Sequence, residues 1–422
     1  MIPALIIFLA TYVLMLALPK YRHIVALVAA AVFVAIGILP FGKVWPAIDW
    51  NVILMLTGTM AIVSLFIASN MPQRLADMIL AKVSDVRVAI VLLALFAGLI
   101  SAFVDNVATL LIVAPVGLAV SKRLNISPVP MIIAMSVSSN LQGAATLVGD
   151  TTSILLGGYA EMDFLDFFWY QGKPSIFFAV ELGALATVPV LFYIFRKHRQ
   201  TVPAAEPIEV TDHGPTVMLV LLVVLLIFAS FIPNKPDITN GLLCCALGVF
   251  GIVREIIRKK GFKEVKNVFA EIDLVTLTLL IGLFVVIAGV TEAGLITKIG
   301  EIFTEVSGGD VFIIYTLLVV ASVVLSAFID NIPYIATMLP VVTSISLQLG
   351  IDPTVLYFGL LSGATLGGNI TPIGASANIT AIGILRREGH EVKTLDFMKI
   401  GVPFTLTAVI VGYVYIWLVY GH

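Results

Sequence analysis

The stretch SAFVDNVATLLIVAP, Ser101 to Pro115, sets one carboxylate beside one amide, Asp105 and Asn106, inside an otherwise apolar run. The chain returns to it as SAFIDNIPYIATMLP, Ser326 to Pro340, at an offset of 225 residues (326 − 101). An ionised side chain near the centre of a bilayer costs about 2.5–3.5 kcal/mol on insertion scales. A single such Asp could simply cap a broken helix by accepting backbone N–H bonds. The same pair placed twice in the same setting argues for use. Capping and use are compatible, because a helix break is where backbone groups become free to bind an ion.

Composition fixes the setting. The 422 residues are 60% apolar and only 12% charged, with a mean hydropathy of +1.09. A soluble domain carries about 25% charge, so this is an integral, multi-span membrane protein. Apolar runs near the spanning length fall at about 2–18, 24–40, 50–69, 129–160, 174–195, 215–233, 238–253, 272–291, 353–385 and 400–420. Met1 to Leu18 has its positive charge after it, at Lys20 and Arg22, and reads as a first transmembrane helix rather than a cleaved signal. No basic aromatic stripe suggests nucleic acid, and no nucleotide-binding loop or metalloprotease motif suggests an enzyme or an ATP-driven pump. No cofactor is expected beyond a coupling ion. The adjacent Cys244 and Cys245 point about 100° apart on a helix, which disfavours a disulfide and leaves lipid-facing packing as the plain reading. The five histidines (His23, His198, His213, His390 and His422) fall in loops or termini, and none is read as catalytic.

Charge orients the map. With the N-terminus outside, 20 of the 24 Lys and Arg residues fall in inside loops and only Lys43, Lys173, Lys235 and Lys298 fall outside. The same map has the segment 88–120 entering from the cytoplasm, and the expected location is the cytoplasmic (inner) membrane of a prokaryote. It also leaves no Lys or Arg deep in the membrane. An anion would then meet only helix N-termini, backbone N–H groups or a bound cation.

The repeat extends beyond the opening motif. IDWNVI at 48–53 resembles IDLVTL at 272–277, ATLVGDTT at 145–152 resembles ATLGGNIT at 364–371, and LDF recurs at 165–167 and 395–397. The first copy begins outside at Asp49 and the second inside at Asp273, so the copies are inverted. The expected fold is an all-α polytopic membrane protein: an inverted-repeat secondary transporter with two re-entrant helical hairpins and two unwound transmembrane helices. Its parts are residues 1–47 as N-terminal scaffold helices, 48–195 as the first repeat with hairpin 88–120, 196–271 as a linker with two transmembrane helices and a basic cytoplasmic segment, and 272–422 as the second repeat with an outer-side hairpin 311–349. Segments 70–87, 161–173, 292–310 and 386–399 read as interfacial helices.

The candidate site follows from the polar residues this architecture buries. From the first copy these are Asp105, Asn106, Thr109, Gly149, Asp150, Thr151 and Thr152; from the second, Asp330, Asn331, Asn369, Thr371, Ser376 and Asn378. Glycine and Pro372 unwind a helix, and the freed carbonyls join hydroxyl, amide and carboxylate oxygens in a set suited to Na⁺ or to a proton on a carboxylate. Glu181 is a candidate proton relay without a repeat partner.

These residues resemble a known family. SAFVDNVAT, ATLVGD, SAFIDN and GGNITPIGASANI look like the ion transporter superfamily, which includes arsenite permeases, NhaD-type sodium–proton antiporters, the melanosomal P protein, and the citrate and dicarboxylate–sodium symporters of the CitMHS type. The resemblance implies a homodimer whose protomers each have a scaffold and a moving transport domain. It implies hairpin tips at Asp105-Asn106 and Asp330-Asn331, and unwound loops at Gly149–Ser153 and Asn369–Asn378. In the dicarboxylate branch the tips read Ser-Asn-Thr. Here Asp stands in the Ser position and Val107 or Ile332 in the Thr position, which weakens a carboxylate assignment. The first loop reads GDTTS where many relatives read Gly-Asp-Pro-Pro-Asn.

The expected function is secondary active transport by alternating access, coupled to Na⁺ or H⁺, with cation–proton antiport leading. Asp105 with Asp150, and Asp330 with Asn369 and Thr371, would form two sites. Burial favours the neutral form of a carboxyl group, so such a group can trade a proton for a cation. The rivals are transport of arsenite or antimonite, an oxyanion or a carboxylate, and, from other classes, an ion channel or an intramembrane aspartyl hydrolase. Expected partners are a small inorganic ion or anion and the lipid bilayer, and no nucleic acid.

Overall fold

The computed structural model describes residues 1–197, 200, 208–259 and 272–421. The first half carries α1 (Ile2–Ala17), α2 (Arg22–Ala35), α3 (Trp50–Ala68), α4 (Met71–Leu80), α5 (Val86–Ser101), α6 (Asn106–Leu124), α7 (Val129–Gly143), α8 (Thr151–Tyr159) and α9 (Ile176–Ile194). The second carries α10 (Gly214–Ala229), α11 (Thr239–Lys259), α12 (Leu274–Glu292), α13 (Leu295–Ser307), α14 (Val311–Ser326), α15 (Asn331–Leu349), α16 (Thr354–Gly367), α17 (Ser376–Arg387) and α18 (Thr394–Tyr420). Among the described residues, six helices (α3, α9, α11, α12, α15 and α18) are each long and apolar enough to cross a membrane. The first two expected spans are shorter: α1 and α2, of 16 and 14 residues, meet at an elbow bent by 116°.

Local chemistry sets where helices start. Asp49 caps α3 by accepting the Val52 N–H at 3.0 Å, and Asp273 caps α12 by accepting the Thr276 N–H at 3.0 Å. Asp85 and Asp310 cap α5 and α14 in the same manner. Residues 161–173, expected as an interfacial helix, hold a 3₁₀ turn (Leu165–Phe167) and lead into a short antiparallel hairpin, Trp169–Tyr170 against Lys173–Pro174. Its two turn residues, Gln171 and Gly172, both have positive φ, the backbone a two-residue hairpin requires. Residues 386–399 are likewise the end of α17, a linker and the start of α18. The segments at 70–87 and 292–310 do hold helices, α4 and α13.

Packing is paired across the halves. α5 lies along α7 as α14 lies along α16, and the terminal helices α9 and α18 pack on each other. α2 lies on α12, and in the matching relation α11 lies on α3. Both crossings depend on glycine. A Cβ on Gly58 would stand 2.2 Å from the Cys244 carbonyl carbon, and one on Gly282 would stand 2.8 Å from the Ala26 carbonyl carbon. Only bare backbone lets the helices approach so closely. Cys244 is therefore fully buried at a helix crossing and is not lipid-facing, while the Cys245 thiol donates to the Leu54 carbonyl at 3.2 Å. α7 from Met131 to Gly143 and α16 throughout are buried on every face, the mark of central posts. The basic stretch expected at 254–271 lies, beyond Lys259, outside the described residues, as do His198 and His422.

Candidate ion-binding site

Both Asp-Asn pairs sit at helix breaks of the same form. Residues 102–105 separate α5 from α6, and residues 327–330 separate α14 from α15. Asp105 caps α6, accepting from the Val107 and Ala108 N–H groups at 3.0 and 3.3 Å; Asp330 caps α15, accepting from the Ile332 N–H at 3.2 Å. A carboxylate at a helix N-terminus is favoured by the helix dipole. Thr109 closes the first break, its hydroxyl donating to the Val104 carbonyl at 3.2 Å.

Each break is stapled to a second one. The Thr146 hydroxyl donates to the Ala102 carbonyl, and that of Thr371 donates to the Ala327 carbonyl. Gly149 is crowded by the carbonyls of Gly143, Ser101 and Ala102; Gly374 is crowded by those of Gly368, Ser326 and Ala327. Every one of these correspondences has the offset of 225. ATLVGD (145–150) therefore matches ITPIGA (370–375), and the likeness to ATLGGNIT at 364–371 is out of register by six residues. The breaks are 144–150 and 368–375, so Thr151, Thr152 and Ser153 open α8 while Ser376 and Asn378 open α17. In the corrected register Asp150 corresponds to Ala375. The first half thus carries two carboxylates at its breaks and the second carries one.

Asp105 and Asp150 line one cavity of about 110 Å³. Asp150 caps α8, accepting from the Thr151 N–H and the Thr152 hydroxyl, both at 2.8 Å. Asn106 and Thr151 join them, and the second half contributes Asp273, Thr276, Asn331 and Ser376. Among the described residues, no Lys, Arg or His lines this cavity. Asp273 was read in the sequence only as the start of a repeat. Its twin Asp49 lines a different cavity, so symmetry alone would not have found it. Asp273 lies within electrostatic reach of Asp105, and Asp150 lies within reach of Asp105. The Asn331 amide nitrogen is buried without a partner among the described residues.

Asp330 is outside that lining, though Ser376 links the two and Asp150 lies within its electrostatic reach. It forms an ion pair with Arg22 at the α1–α2 elbow, in a largely apolar groove shared with Tyr12, Leu16 and Pro333. The Ser376 hydroxyl also donates to it at 3.1 Å. Asn369 and Thr371, expected to group with Asp330, bond instead to Asn140 and the Val137 carbonyl and to the Ala327 carbonyl, and Arg22, expected in an inside loop, is the ionic partner of Asp330. The elbow lets an apparently peripheral Arg reach the second tip.

Asn369 instead belongs to a buried amide network centred on Asn140 of α7, and Asn378 is held separately by Ser136 and by the Gly368 and Thr371 carbonyls. The Asn140 amide donates to the Thr365 carbonyl at 2.7 Å and to Asn369 Oδ1 at 3.0 Å, and its oxygen accepts from Asn106 at 2.9 Å. Asn369 donates to the Val137 carbonyl at 3.0 Å, and Ser136 donates to Asn378 Oδ1 at 2.7 Å. The signal for this hub was the polar run SVSSNLQG (136–143) inside an apolar span. Glu181 is outside the cavity lining, on α9, and accepts from the Gln142 amide at 3.2 Å.

The sequence model of the citrate transporter family matches residues 12–342 and, in a second overlapping match, 242–422. An uncharacterized transporter of Mycobacterium tuberculosis is 32% identical, covering 99% of this chain and 98% of its own. The P protein of Homo sapiens is 25% identical over 93% of this chain and 56% of its own length. Among solved structures, the Alcanivorax borkumensis YdaH transporter superposes with a TM-score of 0.61 at 16% identity, covering 96% of this chain and 98% of its own. Neisseria gonorrhoeae MtrF, described with a class of antimetabolite efflux pumps, superposes at 0.57 with 14% identity, covering 96% and 95%. The chain belongs to the citrate transporter family and is a membrane transporter of the ion transporter type.

Proposed function

We propose that this member of the family is a secondary active transporter that exchanges Na⁺ for protons by alternating access, with Asp105 and Asp150 as the groups that carry both. The observation that carries the reading is the convergence of Asp105, Asp150 and Asp273 on one small cavity whose lining, among the described residues, has no Lys, Arg or His. Asp150 is buried and Asp105 half-buried, while Asp273 stands exposed at the edge of the lining, so repulsion is strongest between the first two, and a bound cation or a proton relieves it. Hydroxyl, amide and carboxylate oxygens are the ligands a hard cation takes. The matched breaks at an offset of 225 support the internal repeat, and its inversion, with the N-terminus outside and an inner-membrane setting, belongs to the same proposal on the strength of the charge distribution. The homodimer implied by the resemblance belongs to the same proposal.

A second reading is transport of an oxyanion, a metalloid acid or a carboxylate, with the same cavity holding the coupling ion. The unpartnered Asn331 amide nitrogen favours it, since a buried N–H donor suits an anion's oxygen. The test is proteoliposomes loaded with a pH dye and challenged with a Na⁺ jump. Exchange predicts proton flux driven by Na⁺ alone, abolished in Asp105→Asn and Asp150→Asn. Proton flux that appears only when an anion is added would overturn exchange in favour of the second reading.

A further inference from the structure

We propose that Arg22 is a tethered cation that fills the second tip, so that the two halves carry unequal ion sites: the Asp105 tip takes a free cation or proton, and the Asp330 tip takes the guanidinium. The inference rests on the reading of the first cavity as a cation site. Asp105 and Asp330 are equivalent in sequence offset and in the helix each caps, yet their surroundings differ. Asp105 shares its cavity with Asp150 and Asp273 and meets no cationic side chain among the lining residues. Asp330 faces one guanidinium, one hydroxyl and an apolar groove. At the breaks the first half has two carboxylates, and the second, with Ala375 in place of Asp150, has one.

Charge balance then separates the two tips. Asp330 and Arg22, side chains 10% and 18% exposed, neutralise each other. Breaking a buried pair leaves an uncompensated charge, so Asp330 without Arg22 needs another cation. Among the described residues, no cationic side chain pairs with Asp105 or Asp150 in the first cavity. The connection between α10 and α11, which holds the matching place, does carry a cation, Lys235. That ammonium is bound by Asp163 and by the Ala229 carbonyl at 2.9 Å, so it is engaged away from Asp105. Arg22 also lies within electrostatic reach of Asp273, which lines the first cavity, so its position is felt there.

The experiment is binding of ²²Na⁺ to purified full-length protein in detergent at pH 8.5, counted per chain. Arg22→Gln is expected to bind one more Na⁺ per chain than the native protein. Arg22→Gln combined with Asp330→Asn is expected to return to the native count. Arg22→Met, which keeps the length and suits the apolar groove, replaces Arg22→Gln if the latter fails gel filtration. No gain in Arg22→Gln or Arg22→Met overturns the inference, whatever the native protein binds. So does a gain that persists in the double variant, because the new ion is then not on Asp330. Retention of the native count in Asp105→Asn/Asp150→Asn refutes the reading of the first cavity instead, and leaves the Arg22 result to be read separately.

Discussion

Replacing Asn140 with Leu removes the centre of the amide network while roughly preserving volume. Three hydrogen bonds go with it: those to the Thr365 carbonyl, to Asn369 and from Asn106. Side-chain hydrogen bonds inside membrane proteins average about 0.6 kcal/mol and reach about 1.7 kcal/mol. Three average bonds give a floor of about 2 kcal/mol. Leucine also strands the Asn106 amide and the Asn369 oxygen in a site that is fully buried, and an unsatisfied buried group costs about 1–3 kcal/mol. Both stranded amides can relax toward other partners, so the expected loss is about 2–4 kcal/mol. The assay is reversible unfolding in mixed dodecylmaltoside–SDS micelles, followed by tryptophan fluorescence. Thr278→Ala serves as the control, because Thr278 is half-buried and its hydroxyl bonds within its own helix; it should stay within about 0.5 kcal/mol. An Asn140→Leu variant as stable as that control would refute the claim that this network bolts the two halves together.

Other substitutions test other parts of the account. Gly58→Val places side-chain atoms where a Cβ already meets the Cys244 backbone at 2.2 Å, so folded protein recovered after gel filtration should fall sharply; normal yield would refute the close crossing. Thr146→Val and Thr371→Val remove matched hydroxyl staples, and each should cost about 0.6–1.7 kcal/mol in the same micelle assay; a loss at only one would show that the matched contacts are not energetically equivalent. The Arg254 guanidinium, hydrogen-bonded to both oxygens of Asp212, holds that carboxyl at about 2, below its ordinary value near 4. The unfolded chain therefore takes up the proton first, and the pair's stabilisation is full above about pH 4 and lost as pH falls toward 2. Thermal melts should show that loss in the native protein and not in Asp212→Asn; equal slopes would refute the assignment.

Much of the fold was legible because membrane burial makes the signals strong. The span lengths, the duplicated Asp-Asn breaks and the small residues in 129–160 and 353–385 all follow from the cost of exposing polar backbone to lipid. The register of the second break was misread because ATLVGD and ATLGGN share four apparent identities, whereas the structure aligns contacts made by Thr146, Thr371, Gly149 and Gly374. Arg22 was missed because its place in sequence is a loop, and only the elbow of α1 and α2 turns it toward the second tip. Asp273 was missed as a cavity residue because its equivalent, Asp49, lines another cavity. Asn140 was legible only as one polar residue among several, since nothing in a single span says which amide faces the other half.

The most direct test of the central claim is a structure of the protein soaked in thallous salt, with the anomalous signal used to place the ion. The account predicts density within the cavity bounded by Asp105, Asp150 and Asp273, and none between Asp330 and Arg22. Density on Asp330 with that cavity empty would contradict it.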